Sequence, residues 1–295
     1  VVIAAAFARR DDGCLFHPVI AEGSRDGGDM SNAFRLKGTG SEGFSMEMSR
    51  TLIDQIQWLR VALYLVVGPL LIGQVCSYLK ARYPRAGDYT RKINHIGIMI
   101  VTAPILAVLP DAQLLPSVLV ASAVQVAIYV VAANSTQPLL HAVAFHSLRV
   151  TDEPRSRLFF LLPMISFNVA LAVSVLLYSM TLVKIAFFTV ALGDGLAEPA
   201  GFLLGKGNRF QVTDKVWRGS NTKSIAGCLT VLIFAFATAM VFLGAQQPIE
   251  PRLLLLCASY AIACTALEAL SPRGLDNMVL IIFAPLAMMG LMAIL

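Results

Sequence analysis

Apolar runs of membrane-spanning length follow one another from residue 58 to the last residue of the chain, separated by short polar segments. Residues 158–180 and 224–244 pass with almost no charge. A helix of roughly 20 residues, rising about 1.5 Å per residue, crosses the ~30 Å hydrocarbon layer of a bilayer. The pattern predicts spans at 58–79, 93–109, 114–133, 158–180, 181–204, 224–244, 252–270 and 275–295. The second is short and contains Pro104, and the fifth is interrupted by Gly193-Asp194-Gly195 and by Pro199. The expected fold is therefore all-α: a polytopic membrane bundle of about eight transmembrane helices, with seven as the alternative count.

Residues 1–50 break this pattern. Gly, Ser, Asp, Glu and Arg mix there without a hydrophobic period, which predicts a polar, disordered leader before a membrane domain over 51–295. Arg9, Arg10, Asp11 and Asp12 stand where a signal peptide would be cleaved, and we expect a natural start near Met46 or Met48. Composition agrees with the membrane reading: 57% of residues are hydrophobic and 14% charged, with a mean hydropathy of +0.72. Soluble domains carry about a quarter charged residues. Five cysteines form no CxxC pair or Cys/His cluster and read as small core residues.

The positive charges gather in alternate loops. Lys80, Arg82, Arg85, Arg91 and Lys92 follow the first span, Arg149, Arg155 and Arg157 the third, and Lys206, Arg209, Lys215, Arg218 and Lys223 the fifth. Positive loops stay cytoplasmic, so both termini are expected outside, against the sign of Arg50 and Arg60 at the first span.

Four polar clusters then fall on the expected inner face. Arg91-Lys92-Ile93-Asn94-His95 opens the second span, where the cations suit lipid headgroups and His95 suits a phosphate or a hydroxyl proton. In the fifth span, Asp194 and Glu198 stand four residues apart beside Gly193 and Gly195. Acids at membrane depth are costly and usually functional. Near a phosphate site such a pair suggests Mg²⁺, the alternative being ion pairs with Lys or Arg of a neighbouring helix. The loop carrying Lys206, Arg209, Lys223 and Ser224 is basic and punctuated by glycines, which suits a polyphosphate or a plain inner-face anchor. Ser224 is expected to open a helix whose N-terminus favours phosphate. Glu268, Asp276 and Asn277 flank a Ser-Pro-Arg-Gly turn between the last two spans. Asn168, Ser166, Asn134, His141 and His146 read as interhelical hydrogen-bonding residues.

These strings, in this order, resemble the polyprenol kinase family, which includes phytol, farnesol and dolichol kinases and a CTP-dependent diacylglycerol kinase. Arg91 to His95, Gly193-Asp194-Gly195-Leu196-Ala197-Glu198-Pro199, Lys223 to Gly227 and Glu268 to Asn277 carry the likeness, over about residues 90 to 280. Ala226 stands where some members have an acidic residue. The resemblance implies phosphorylation of a membrane-embedded isoprenoid alcohol, with CTP as donor and a divalent metal. Asp194 and Glu198 would hold the metal. Lys92, Lys206, Arg209, Lys223, Ser224, Gly193 and Gly195 would meet the phosphates, and His95 or Asp194 would help deprotonate the hydroxyl. The partners implied are a nucleotide, a lipid alcohol and membrane lipids, with no nucleic acid. The site would face the cytoplasm from a plasma, inner or organelle membrane.

Three rivals remain beside a diacylglycerol kinase. A phosphatidate cytidylyltransferase would show a His-Gly-Gly stretch, and a CDP-alcohol phosphotransferase several spaced aspartates, neither of which is found. A transporter with a broken-helix ion site would show an inverted repeat, and no repeat is visible.

Overall fold

The computed structural model describes residues 41–83, 87–108, 110–145 and 155–295. The chain divides into two units, Val1–Glu47 and Met48–Leu295. Of the first, only the opening helical residues from Ser41 are described, so the expected leader lies outside the described residues as far as residue 40. Arg85, His146 and Arg149 also fall outside them.

The second unit is helical. Its elements are α1 (Ser41–Arg82, beginning in the first unit), α2 (Gly87–Val108), α3 (Asp111–Asn134), the short α4 (Pro138–Phe145), α5 (Ser156–Leu177), α6 (Met180–Phe188), α7 (Gly195–Leu204), α8 (Ile225–Gly244), α9 (Pro251–Leu270) and α10 (Asp276–Ile294). Seven helices among the described residues are long and apolar enough to cross a membrane. The second expected span corresponds to α2, which is helical but not among the seven. Its first half carries Asp88, Arg91, Lys92, Asn94 and His95. It touches α1 where a Cβ on Gly97 would meet Ile72 and one on Gly73 would lie 3.9 Å from Asn94 Oδ1.

The fifth expected span is the pillar of the fold. Over Met180–Leu204, 72% of the most apolar window is buried, against 28% to 39% in the other six spans. It is not one α-helix. Between α6 and α7 runs a π-helical turn, Thr189–Asp194, in which the Gly195 N–H reaches the Val190 carbonyl five residues back. Such turns insert a residue and rotate the helix beyond them. Below it, the Thr189 hydroxyl meets Thr238 at 3.0 Å and Tyr260 at 3.3 Å, so the polar groups of this level satisfy one another in an apolar core.

Helix α8 seats itself on the pillar through small residues. Gly227, Val231, Ala235 and Ala239, four apart, are all buried on one face. A Cβ on Gly193 would lie 3.4 Å from the Val231 Cα, which shows how closely the two backbones approach.

The basic loop is a structured hairpin, not an irregular segment. Strands β1 (Arg209–Asp214) and β2 (Gly219–Ser224) pair antiparallel, from Arg209 opposite Ser224 to Asp214 opposite Gly219. Asp214 holds the turn and seats it. Its carboxylate accepts from the N–H groups of Val216 and Trp217 at 3.0 Å, from Asn221 Nδ2 at 3.0 Å and from the Arg273 N–H at 2.9 Å. Trp217 Nε1 donates to the Arg273 carbonyl, and the indole packs on Phe159. The hairpin is thereby fastened to the α9–α10 turn.

Two smaller expectations change. Ser166 and Asn168 bond to carbonyls of their own helix, Pro163 and Met164, because their side chains reach back one turn more readily than across to a neighbour. Cys76, Cys257 and Cys264 are buried core residues as expected, whereas Cys228 borders a polar cavity.

Candidate functional site

The elements that carry the polar clusters all present them at one end of the bundle. The start of α2, the pillar from Asp194 to Gly201, strand β2, the end of α9 and the start of α10 enclose a cavity of about 350 Å³. Five cations border it, Arg91, Lys92, Arg209, Lys223 and Arg273, with four carboxylates, Asp194, Glu198, Glu268 and Asp276.

Within this ring the charges are paired. Lys92 Nζ lies 3.1 Å from Asp194 Oδ2 and 3.7 Å from Glu198 Oε2, and Arg91 reaches Glu198 at 3.6 Å. Lys92 also donates to the Asp194 carbonyl at 3.2 Å. The ion-pair alternative for Asp194 and Glu198 is therefore realised. Desolvating an ion costs several kcal/mol, and a buried partner with hydrogen bonds offsets it. Lys223 forms the second pair, donating to the Glu268 carboxylate and, at 3.2 Å, to the Glu268 carbonyl. Burial alone pushes the Lys223 ammonium toward neutrality, but the adjacent Glu268 carboxylate outweighs it and raises its pKa above the ordinary lysine value.

A second cavity, of about 80 Å³, opens beside the first and is mainly apolar. Tyr129, Phe159, Phe160, Met164 and Phe167 give it its character, and His95, Asn94 and Asn277 are among its polar members. His95 Nε2 sits 3.4 Å from the Val190 carbonyl and 3.9 Å from Asp194 Oδ2, so an Nε2–H donates into the π-helical turn. The two cavities share a wall: Arg91, Lys92, Asp194, Gly274 and Asp276 border both.

The residues singled out in the sequence are sorted by this geometry. Asp194, Glu198, Lys92, Arg209, Lys223, Ser224, Glu268 and Asp276 meet at the polar cavity. His95 and Asn277 border only the apolar one. Lys206 is exposed and borders neither, because the turn after α7 points it away from the hairpin's inner side. Gly193 and Gly195 border neither as well. They serve close packing, Gly193 against α8 and Gly195 against the His95 ring, which a Cβ would approach to 3.2 Å. Ser224 opens α8 as expected, but its hydroxyl is engaged in capping, accepting the Gly227 N–H at 3.0 Å.

Sequence reasoning missed the aromatic chamber and Asp214. The chamber is lined from α2, α3 and α5 together, and no local string announces it. Asp214 had a signal: it closes an alternating run, Arg-Phe-Gln-Val-Thr-Asp, where an Asp can hold the turn that follows.

The donor set suits a hard divalent cation of the Mg²⁺ type. Such ions take one or two carboxylates from protein and the rest from phosphates and water. Asp194 and Glu198 stand one turn apart on the cavity wall with Glu198 half-exposed, but Lys92 Nζ lies at 3.1 Å and 3.7 Å from them, so a metal there would have to displace that ammonium. Among the described residues no group of three or more His, Cys, Asp or Glu side chains converges, so an all-protein metal cage is absent there. No family model, curated protein or solved structure matches this chain.

Proposed function

We propose that the protein transfers a phosphoryl group from a nucleoside triphosphate, CTP by the resemblance of its strings, to the hydroxyl of a membrane-embedded isoprenoid alcohol. One observation carries this reading: a charged cavity and an aromatic cavity meet at a shared wall that contains Asp194. A polyphosphate belongs in the first and a lipid tail in the second, so the reacting oxygen and phosphorus would meet beside that carboxylate.

Phosphoryl transfer depends mostly on positioning and charge stabilisation. Arg209 and Lys223 on the hairpin, with Arg91, offer cations to the phosphates. Lys206 is withdrawn from that role because it lies off the cavity. Asp194 and Glu198 would hold Mg²⁺, which when bound neutralises phosphate charge that the near-balanced lining leaves over. Asp194 is also the acceptor for the hydroxyl proton, in preference to His95, which borders only the aromatic cavity and not the charged one. Lys92 holds the Asp194 carboxylate in place. The site would face the cytoplasm, where the nucleotide is.

Purified protein in nanodiscs, given CTP, Mg²⁺ and farnesol, is expected to make farnesyl monophosphate. Asp194→Asn should lower the rate by at least a hundredfold at a temperature where the variant is folded, since losing the carboxylate beside the buried Lys92 also lowers its melting temperature. Full activity in that variant removes Asp194 from the chemistry. Nucleotide-independent counterflow of a solute would favour the transporter reading instead.

A further inference from the structure

We propose that Arg273 is the residue that grips the terminal phosphates of a polyphosphate in the charged cavity, and that Phe159 positions it. This rests on the preceding reading, in which that cavity receives the nucleotide's phosphates. Of the other four cations around it, three are engaged by carboxylates. Lys92 donates to both the carboxylate and the carbonyl of Asp194, and Lys223 does the same at Glu268. A lysine ammonium has three donors, so each keeps one for a ligand. Arg91 stands 3.6 Å from Glu198, and Arg209 is exposed at the start of β1.

Arg273 is fixed through its backbone and its side chain alike. Its N–H donates to Asp214 Oδ2 at 2.9 Å, and its carbonyl accepts from Trp217 Nε1 at 3.0 Å. The turn around it closes where the Leu275 N–H donates to the Pro272 carbonyl at 3.0 Å. Gly274 sits there at φ +80°, a left-handed conformation that glycine adopts without strain. The Arg273 guanidinium carbon lies over the Phe159 ring, 4.9 Å from its centroid. The Trp217 indole packs on the same ring, with centroids 5.2 Å apart.

Arginine carries five N–H donors in a flat fork that matches two phosphate oxygens at once. Attraction to an aromatic face consumes none of those donors. A side chain already held by its backbone and by a ring also loses less freedom on binding than an exposed one. Arg273 borders the charged cavity, and its neighbour Gly274 borders both cavities. The fork is thus anchored one residue from the wall where phosphorus and hydroxyl would meet, which suits the terminal phosphates.

The test uses full-length protein in nanodiscs with Mg²⁺, and reads the binding of CTP and of sodium tripolyphosphate by isothermal titration before any alcohol is added. The parent is expected to bind both. Arg273→Met should weaken each at least tenfold. Arg273→Lys keeps the charge without the fork and should recover only part of the loss; it carries the comparison where Arg273→Met fails to fold. Phe159→Leu should weaken binding at least threefold, and Phe159→Tyr, which keeps the ring, should match the parent. With farnesol added, the Arg273 variants should raise the CTP KM and leave the farnesol KM unchanged, a split that a loosened fold does not give. Parent-like affinity in the Arg273 variants overturns the assignment, and equal loss in both Phe159 variants removes Phe159 from it. Polyphosphate binding that depends on Arg273, with no phosphorylated product, refutes the kinase reading alone. Product formation that ignores the Arg273 variants refutes the assignment alone, and a parent that binds neither anion overturns both.

Discussion

Lys223 and Glu268 separate what a residue does for stability from what it does for the site. Both are largely buried, and their hydrogen-bonded pair joins the hairpin to the end of α9. Removing one partner of a buried pair leaves an uncompensated charge, at a cost of about 3–5 kcal/mol, whereas replacing both by apolar groups is often neutral. Lys223→Met is therefore expected to lower the melting temperature sharply, and Lys223→Met with Glu268→Leu to restore most of it. On the proposed function, activity should stay lost in the double variant, since the cation assigned to the phosphates is gone. Thermal melts and initial rates on the same preparations check this.

Asp214 is a different kind of residue, outside the membrane and away from the shared wall. Burial by itself pushes its carboxyl up, but bonds from Arg273, Trp217, Asn221 and Val216 outweigh that and hold its pKa below the usual carboxylate range. A depressed folded value means that its stabilisation is present above the unfolded value, near 3.9, and fades as pH falls through the lower folded one. With Trp58 replaced by Phe, Trp217 becomes the single tryptophan and its emission should shift to the red below about pH 4. Asp214→Asn should show part of that shift at neutral pH and, on the proposed function, raise the nucleotide KM roughly tenfold, as the two bonds accepted by the replaced oxygen are lost. A Trp217 signal that ignores both changes would detach the hairpin from this carboxylate.

At the scale of elements, the contact between α7 and the start of α8 depends on missing side chains. A Cβ on Gly201 would lie 2.5 Å from Ser224 Oγ, and one on Gly205 would lie 2.3 Å from the Gly201 carbonyl oxygen. Nothing lies within 4 Å of such an atom on Gly207 or Gly219. Gly201→Ala is expected to cost about 1–3 kcal/mol by displacing the cap, with Gly207→Ala within about 0.5 kcal/mol of the parent in the same unfolding assay. The helices themselves were legible, because an apolar run of spanning length has few other solutions. The π-helical turn was not: Thr-Val-Ala-Leu-Gly-Asp is as apolar as the helix around it, and the inserted residue is set by packing on α8. The basic, glycine-punctuated loop was legible from its composition, but its strand pairing was not, because β2, Gly-Ser-Asn-Thr-Lys-Ser, has no apolar alternation. Of the site, the charged members were legible, since acids and lysines in apolar runs stand out. Their pairing, and the aromatic chamber behind them, arise only where four helices meet.

For the whole molecule, the antiparallel order brings every charged cluster to one end, so the orientation of that end decides whether a cytosolic nucleotide can reach it. Lys206→Cys, exposed beside the cavity without bordering it, should react with an impermeant maleimide only from the cytoplasmic face of sealed vesicles. Reaction from the opposite face alone would remove the nucleotide from the proposal, whatever the local geometry. The opposite rim contributes no residue to either cavity of the site. Its turn between α8 and α9, around Gln247 and Pro248, is exposed and far from both cavities. That makes it a natural attachment point for an inserted tag or a nanobody epitope, through which the molecule can be captured, imaged or tethered while its working face stays unobstructed.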